Sequence, residues 1–405
     1  MGEGSGNMSS ARNAIGAVFL IGLLTLFAPA PSRAQPSLLG APLIAVTTAR
    51  LDRIVLYDLS GGRRELRFDA REHFVWGFTA DGCRIIFTLG EPGGISRLYS
   101  ARLDGSDLRS LVQFADLPAE DWSAWEPQIN PVDGRIAFTF FRRETPPGRL
   151  TQETYHIAWI PAEGGTPQFY SVSGDEHSPV WSHDGAWLAY VAYDGRIPGP
   201  DAFSTVPPTP PSGATPVPKE QLINEADLWV VSADGETKYR LTAFPTGSVN
   251  RPVWSPDDLL IEFFYSPRPN NDTVWMIGNA DAAIPTQLNF EWMLGLDATW
   301  LPDSTAIVAT MRDFQGVSEN RLWQVPLVGN ADTDAQPYSP DPALRFIDYP
   351  RFSVDGRFLA LRSEYYLAVV DTTTGAWAWL DDANPGNTPP VWSPAAFTGE
   401  AACGL

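Results

Sequence analysis

Cysteine, histidine and methionine are all scarce in this chain: two, four and five copies among 405 residues. Two cysteines, Cys83 and Cys403, are too few for a thiolate metal centre or a disulfide framework. Long apolar runs are missing beyond the N-terminus, so nothing after it is long enough to cross a membrane as a helix. Neither a Gly-x-Ser-x-Gly elbow, nor a His-Glu-x-x-His pair, nor a phosphate-cradling glycine loop occurs, so the common local signatures of hydrolases, zinc proteases and nucleotide enzymes are absent. Basic residues are few as well. Lys and Arg number 28 against 48 Asp and Glu, a net charge of −20. Such a surface repels nucleic acid and anionic lipid, and both are excluded as partners. A sustained helical period is also lacking.

What is present begins with a leader. Arg12 precedes an uninterrupted apolar run from Ala14 to Phe27, and Ser32-Arg33-Ala34 places small residues two apart. This is the layout of a secretory signal peptide spanning 1–34 with cleavage after Ala34, which predicts a secreted or periplasmic protein without a membrane span in its mature chain. The remainder is rich in aromatics, with 15 Trp and 21 Phe, enough to exclude general disorder. Its apolar runs are short and bounded by Gly, Pro and Asp, which predicts an all-β fold.

One pattern recurs along the chain: an apolar strand ending on an anchor residue, a turn of Ser, Pro, Asp and Gly, then a second apolar strand. Pro179-Val180-Trp181-Ser182-His183-Asp184-Gly185, followed by Trp187-Leu188-Ala189-Tyr190, is the clearest copy. Anchors are read at Trp76, Ile129, Trp181, Trp254, Trp300, Phe352 and Trp392. Third and fourth strands follow, as in Asp227-Leu228-Trp229-Val230-Val231 and Lys238-Tyr239-Arg240-Leu241-Thr242. Four strands in each period of about 40 to 55 residues is the mark of a propeller blade. Asp227 to Gly235, Arg240-Leu241-Thr242 and Pro252-Val253-Trp254-Ser255-Pro256-Asp257 together resemble the TolB-type, WD-like propeller repeat, and the resemblance extends over 41–398. It implies a propeller fold. The N-terminal α/β domain of TolB itself is not recognisable, so the resemblance does not carry TolB's envelope role across.

Blade number follows from the ends. Six units start from the anchors Trp76 to Phe352; the seventh, Trp392, has too little chain after it for three strands. Leu43-Ile44-Ala45-Val46, Ile54-Val55-Leu56-Tyr57 and Glu65-Leu66-Arg67-Phe68 have no inner strand of their own. Joining the two gives a seven-bladed propeller closed by N- and C-terminal strands; six blades, common in TolB-type propellers, is the alternative. Residues 399–405 form a tail. Cys83 follows a turn on the face from which the tail leaves, so a Cys83–Cys403 disulfide is expected in an oxidising compartment.

Function is sought where the loops converge. Residues about four before each anchor should ring the channel mouth: Glu72, His73, Trp125, Glu126, Glu176, His177, Asn250, Arg251, Asp297, Asp348, Tyr349, Asn387 and Thr388. The same face carries long connections, the largest a Pro-rich loop insertion at 194–225 containing Pro207-Pro208-Thr209-Pro210-Pro211, which cannot form a core. With no catalytic motif, the chain reads as a monomeric, non-catalytic binding or scaffold module without a cofactor, engaging a protein, peptide or envelope component through that face. The alternative is a propeller enzyme, hydrolase- or lactonase-like, with a metal ion at the mouth held by His73 and His177.

Overall fold

The computed structural model describes residues 38–405, except 92–93, 115–120, 146–150, 171–174, 194–225, 268–271, 289–292, 313–318, 339–343 and 381–384. The leader and the Pro-rich insertion therefore lie outside the described residues. Seven four-stranded antiparallel sheets stand around a central channel, a seven-bladed β-propeller. Each of blades 2 to 7 is a simple meander from the channel outwards. Blade 4, for instance, runs Glu176–Trp181, Trp187–Ala192, Asp227–Ser232 and Lys238–Arg240. Blade 1 takes its innermost strand, Val391–Trp392, from the C-terminal end and the other three, Leu43–Thr47, Ile54–Asp58 and Arg63–Leu66, from the beginning of the described chain. Among the described residues no helix is long and apolar enough to cross a membrane.

The turn chemistry explains why the hairpins form. In blade 4 the Ser182 hydroxyl donates to Asp184 Oδ1 at 2.6 Å, and accepts the Trp187 N–H at 2.9 Å. Ser255–Asp257 and Ser353–Asp355 repeat the arrangement at the same distance, with Leu260 and Phe358 in the place of Trp187. The pair occupies backbone groups that the tight turn would otherwise leave without partners.

Anchor residues fill the gaps between blades, and three of the tryptophans also stitch them. The indole N–H of Trp254 donates to Val180 O of blade 4, that of Trp300 to Val253 O of blade 5, and that of Trp392 to Arg351 O of blade 7. Trp181 does not follow suit: its indole N–H is buried without a partner. One anchor is displaced from its sequence position. In blade 2 the residue in register with Trp181 and Trp254 is Phe78, opposite Ile85, and not Trp76. Trp76 turns its indole onto Thr88 Oγ1 instead. Seven buried apolar clusters result, one between each pair of neighbouring blades.

The ring is locked at its seam. Ser393 accepts the Leu43 N–H through its hydroxyl and returns its own N–H to Leu43 O. Further along, Glu400 is fully buried, accepts the Leu39 N–H and forms an ion pair with Arg64. Cys403 is bridged to Cys83 of blade 2 with the Cα atoms 5.3 Å apart, across 320 residues of sequence.

Candidate functional site in the channel mouth

A backbone irregularity, repeated from blade to blade, aims side chains into the channel. The innermost strands lose register between Trp125 and Gln128, His177 and Val180, Asn250 and Val253, and Asp348 and Arg351. At each of these bulges one non-glycine residue takes a left-handed conformation: Glu126, Ser178, Arg251 and Tyr349, with φ between 51° and 54°. Such a residue costs of order 1–2 kcal/mol, and bulges of this kind re-aim a side chain. All four lie three residues before their anchors. Asp297 of blade 6 holds the same offset, and all five line one cavity of about 1170 Å³.

Of the residues expected at the mouth, Glu72, Trp125, Glu126, His177, Arg251, Asp297, Tyr349, Asn387 and Thr388 line this cavity. The other four turn away. His73 is buried, accepting the Phe68 N–H at Nε2 and donating from Nδ1 to Leu51 O, so both ring nitrogens are occupied. Glu176 pairs with Lys238 and accepts the Ile157 N–H. Asn250 donates to Ser266 Oγ, and Asp348 pairs with Arg362 and accepts from Asn320. His73 and His177 thus do not meet. Among the described residues no group of three or more His, Cys, Asp or Glu is placed to hold a metal ion.

Sequence reasoning missed Ser178, Arg351, Tyr155 and Tyr193, all on the cavity wall. Ser178 could have been found by counting three back from Trp181 instead of four. The displaced anchor at Phe78 accounts for His73, whose offset was counted from Trp76.

Ser178 is the centre of a connected group in the mouth. Its hydroxyl is 3.0 Å from His177 Nδ1 and 3.1 Å from Glu126 Oε2. Glu126 Oε2 also accepts the Ser178 N–H at 3.0 Å and the Thr139 hydroxyl at 3.3 Å, which fixes the carboxylate. Burial pushes the His177 imidazole below its ordinary pKa, and the Glu126 charge opposes that shift. A neutral imidazole on a serine hydroxyl is able to take its proton, and a carboxylate beside them stabilises the imidazolium that forms. Trp76, Trp125, Tyr155, Tyr193 and Tyr349 supply the aromatic lining. Across the channel, Arg351 is held by Asp297 at 2.6 Å.

No family model matches the sequence, and no curated protein matches it. Solved structures do. An oligogalacturonate lyase in complex with manganese is similar with a TM-score of 0.52 and 12% identity, over 84% of this chain and 85% of that one. A puromycin-hydrolysing peptidase of Mycobacterium tuberculosis gives 0.58 and 16%, over 85% of this chain and 52% of the peptidase, about half its length. TolB from Acinetobacter baumannii gives 0.45 and 15%, over 84% and 79%. At these identities the likeness is one of fold. It nonetheless corrects the reading of a non-catalytic binding module, because solved structures of this fold include a lyase and a peptidase. The propeller gives no ground for setting catalysis aside.

Proposed function

We propose that the protein is an exported propeller hydrolase whose active site is the channel mouth, with Ser178 as nucleophile, His177 as general base and Glu126 as the group that orients and charges the pair. One observation carries the reading: the Ser178 hydroxyl within 3.1 Å of both an imidazole nitrogen and a carboxylate oxygen, on a left-handed residue projecting into a cavity large enough for a substrate. In the reaction, the Ser178 Oγ–H bond breaks with its proton going to His177 Nδ1. The Oγ–carbon bond forms, the bond from that carbon to the leaving group breaks, and the leaving group departs with the proton from His177. Water then cleaves the acyl-serine. The aromatic lining favours a substrate with a flat or apolar body. Export rests on the leader at 1–34, and the Cys83–Cys403 bridge supports an oxidising compartment.

The test is labelling by a fluorophosphonate, followed by mass spectrometry and by hydrolysis of a panel of chromogenic esters and amides. Ser178 should carry the label, and Ser178→Ala and His177→Ala should each lower kcat/KM by roughly 100-fold or more. Label on no residue, or on a serine outside the channel, defeats the proposal.

A further inference from the structure

The second and third strands of blade 3 are long. Each has nine residues, Ile136–Glu144 and Gln152–Ile160, where their counterparts in blade 4 have six. Side chains along such a hairpin alternate between its two faces. Tyr155 lines the channel mouth, so Thr154 and His156 belong to the opposite face. That face is turned towards blade 2, because Phe140 shares an apolar cluster with Ile86 and Leu98. Three cross-strand pairs stand in a row on it: Phe140 opposite His156, Arg142 opposite Thr154, and Glu144 opposite Gln152. With Phe169 of the fourth strand they line a second cavity, of about 330 Å³. Among the described residues it shares no wall with the channel mouth.

The row is graded from apolar to charged. At one end Phe169 stands edge-on to Phe140, with ring centroids 5.3 Å apart, and edge-on to His156 at 6.2 Å. At the other end Arg142 pairs with Glu144. Between these ends two polar atoms are buried with no hydrogen-bond partner, Arg142 Nε and His156 Nδ1. An arginine Nε always carries a hydrogen, and a neutral imidazole carries one on Nδ1 in one of its two tautomers. Burial foremost holds the His156 imidazole below its ordinary pKa; the Glu176 charge opposes that shift and Arg142 adds to it. Buried donors without acceptors are rare in folded proteins, and here both belong to the wall of one cavity. Phe169 and Glu144 are exposed, which leaves that cavity open to solvent.

The missing partner is an acceptor with two oxygens. A carboxylate supplies them, and the two phenyl rings offer a surface to a flat apolar body. Glu144 already takes one edge of the guanidinium, so a doubly charged anion would meet a carboxylate at close range. The volume lies at the small end of ligand sites. We propose that this cavity binds a small apolar monocarboxylate of the aryl acetate kind. Its carboxylate accepts from Arg142 Nε and His156 Nδ1, and its ring lies against Phe140 and Phe169. The site stands whether or not the channel mouth is catalytic.

The test uses the full mature chain and phenylacetate as the probe, with 2-phenylethanol, 2-phenylethylamine and inorganic phosphate for comparison. The chain has four histidines, so the His156 imidazole signal can be assigned in proton NMR spectra by its loss in His156→Gln. Phenylacetate should shift that signal saturably and raise its titration midpoint, because a nearby carboxylate favours the imidazolium. The alcohol should bind roughly tenfold more weakly or worse, for want of the charged acceptor. Arg142→Gln should lose as much, and so should Arg142→Lys, which keeps the charge without the Nε–H; an unchanged Tm shows that either variant is folded. No saturable shift with phenylacetate overturns the proposal. Equal affinity for the alcohol, or tighter binding of the amine or of phosphate, overturns it as well. Undiminished phenylacetate binding in a folded Arg142 variant does the same.

Discussion

Glu262, fully buried in blade 5 with neither carboxyl oxygen hydrogen-bonded, and His177 are both shifted by burial, yet they tie stability to pH in opposite ways. Glu262 binds its proton more tightly folded than unfolded, so its favourable contribution is complete below the ordinary glutamate pKa. It is lost as pH rises towards the folded value. Glu262→Leu should therefore raise Tm at neutral pH, by about 1–3 kcal/mol of stability for an unpaired buried polar group. The gap from wild type should widen in calorimetry as pH rises above about 4.5, the ordinary glutamate value. His177 titrates below its ordinary value, so its contribution is present above about pH 6.5 and fades as pH falls through the folded value. The acid limb of kcat/KM should lie below that pH and vanish in His177→Gln. The sequence already displayed His177 and Glu126 near the mouth, because they stand close to recognisable anchors. Glu262 was silent. Its strand, Leu-Ile-Glu-Phe-Phe-Tyr-Ser, reads as half-exposed until the register shows the glutamate turned inward.

At the level of the strand, position relative to the anchor decides what a residue does, and a shift of one changes its surroundings. Counting four back from the anchor found Trp125 and His177 on the wall, but Asn250 and Asp348 in side-chain pairs away from it. Counting three back gives Glu126, Ser178, Arg251, Asp297 and Tyr349, all in the cavity. The difference is the bulge, which no propensity or periodicity announces. The anchors themselves separate two roles that a sequence treats alike. Trp254→Phe removes an indole N–H that reaches the preceding blade and leaves Val180 O without it, so about 1 kcal/mol should be lost. Trp181→Phe removes a buried N–H that has no partner, and its stability should be unchanged or higher. Denaturant titration of both variants, with equal m-values, checks the contrast.

For the whole molecule, the blade count and the two-ended closure were legible because the sequence left three strands without a partner at one end and one at the other. The tail's further engagement was only half legible. Cys403 could be matched to Cys83 by face, whereas Glu400 on Leu39 and Arg64 depends on a short 3-10 turn, Glu400–Cys403, within what the sequence shows only as a tail. Cys403→Ser should cost about 2–4 kcal/mol, given the length of chain the bridge closes. Glu400→Gln, which keeps the shape but removes the buried negative charge that pairs with Arg64, should cost about 3 kcal/mol. Chemical denaturation with and without reductant distinguishes the two contributions.

The seam also fixes an order of events during synthesis. The strand that completes the first blade is Val391–Trp392, which follows the strands of all six other blades along the chain. Leu43–Thr47 must therefore wait with one edge unpaired until the six blades between it and Val391–Trp392 have been made. A ribosome stalled before codon 390 should expose Leu43–Leu66 to protease while blades 3 to 5 are already resistant. Release of the full chain should protect both together.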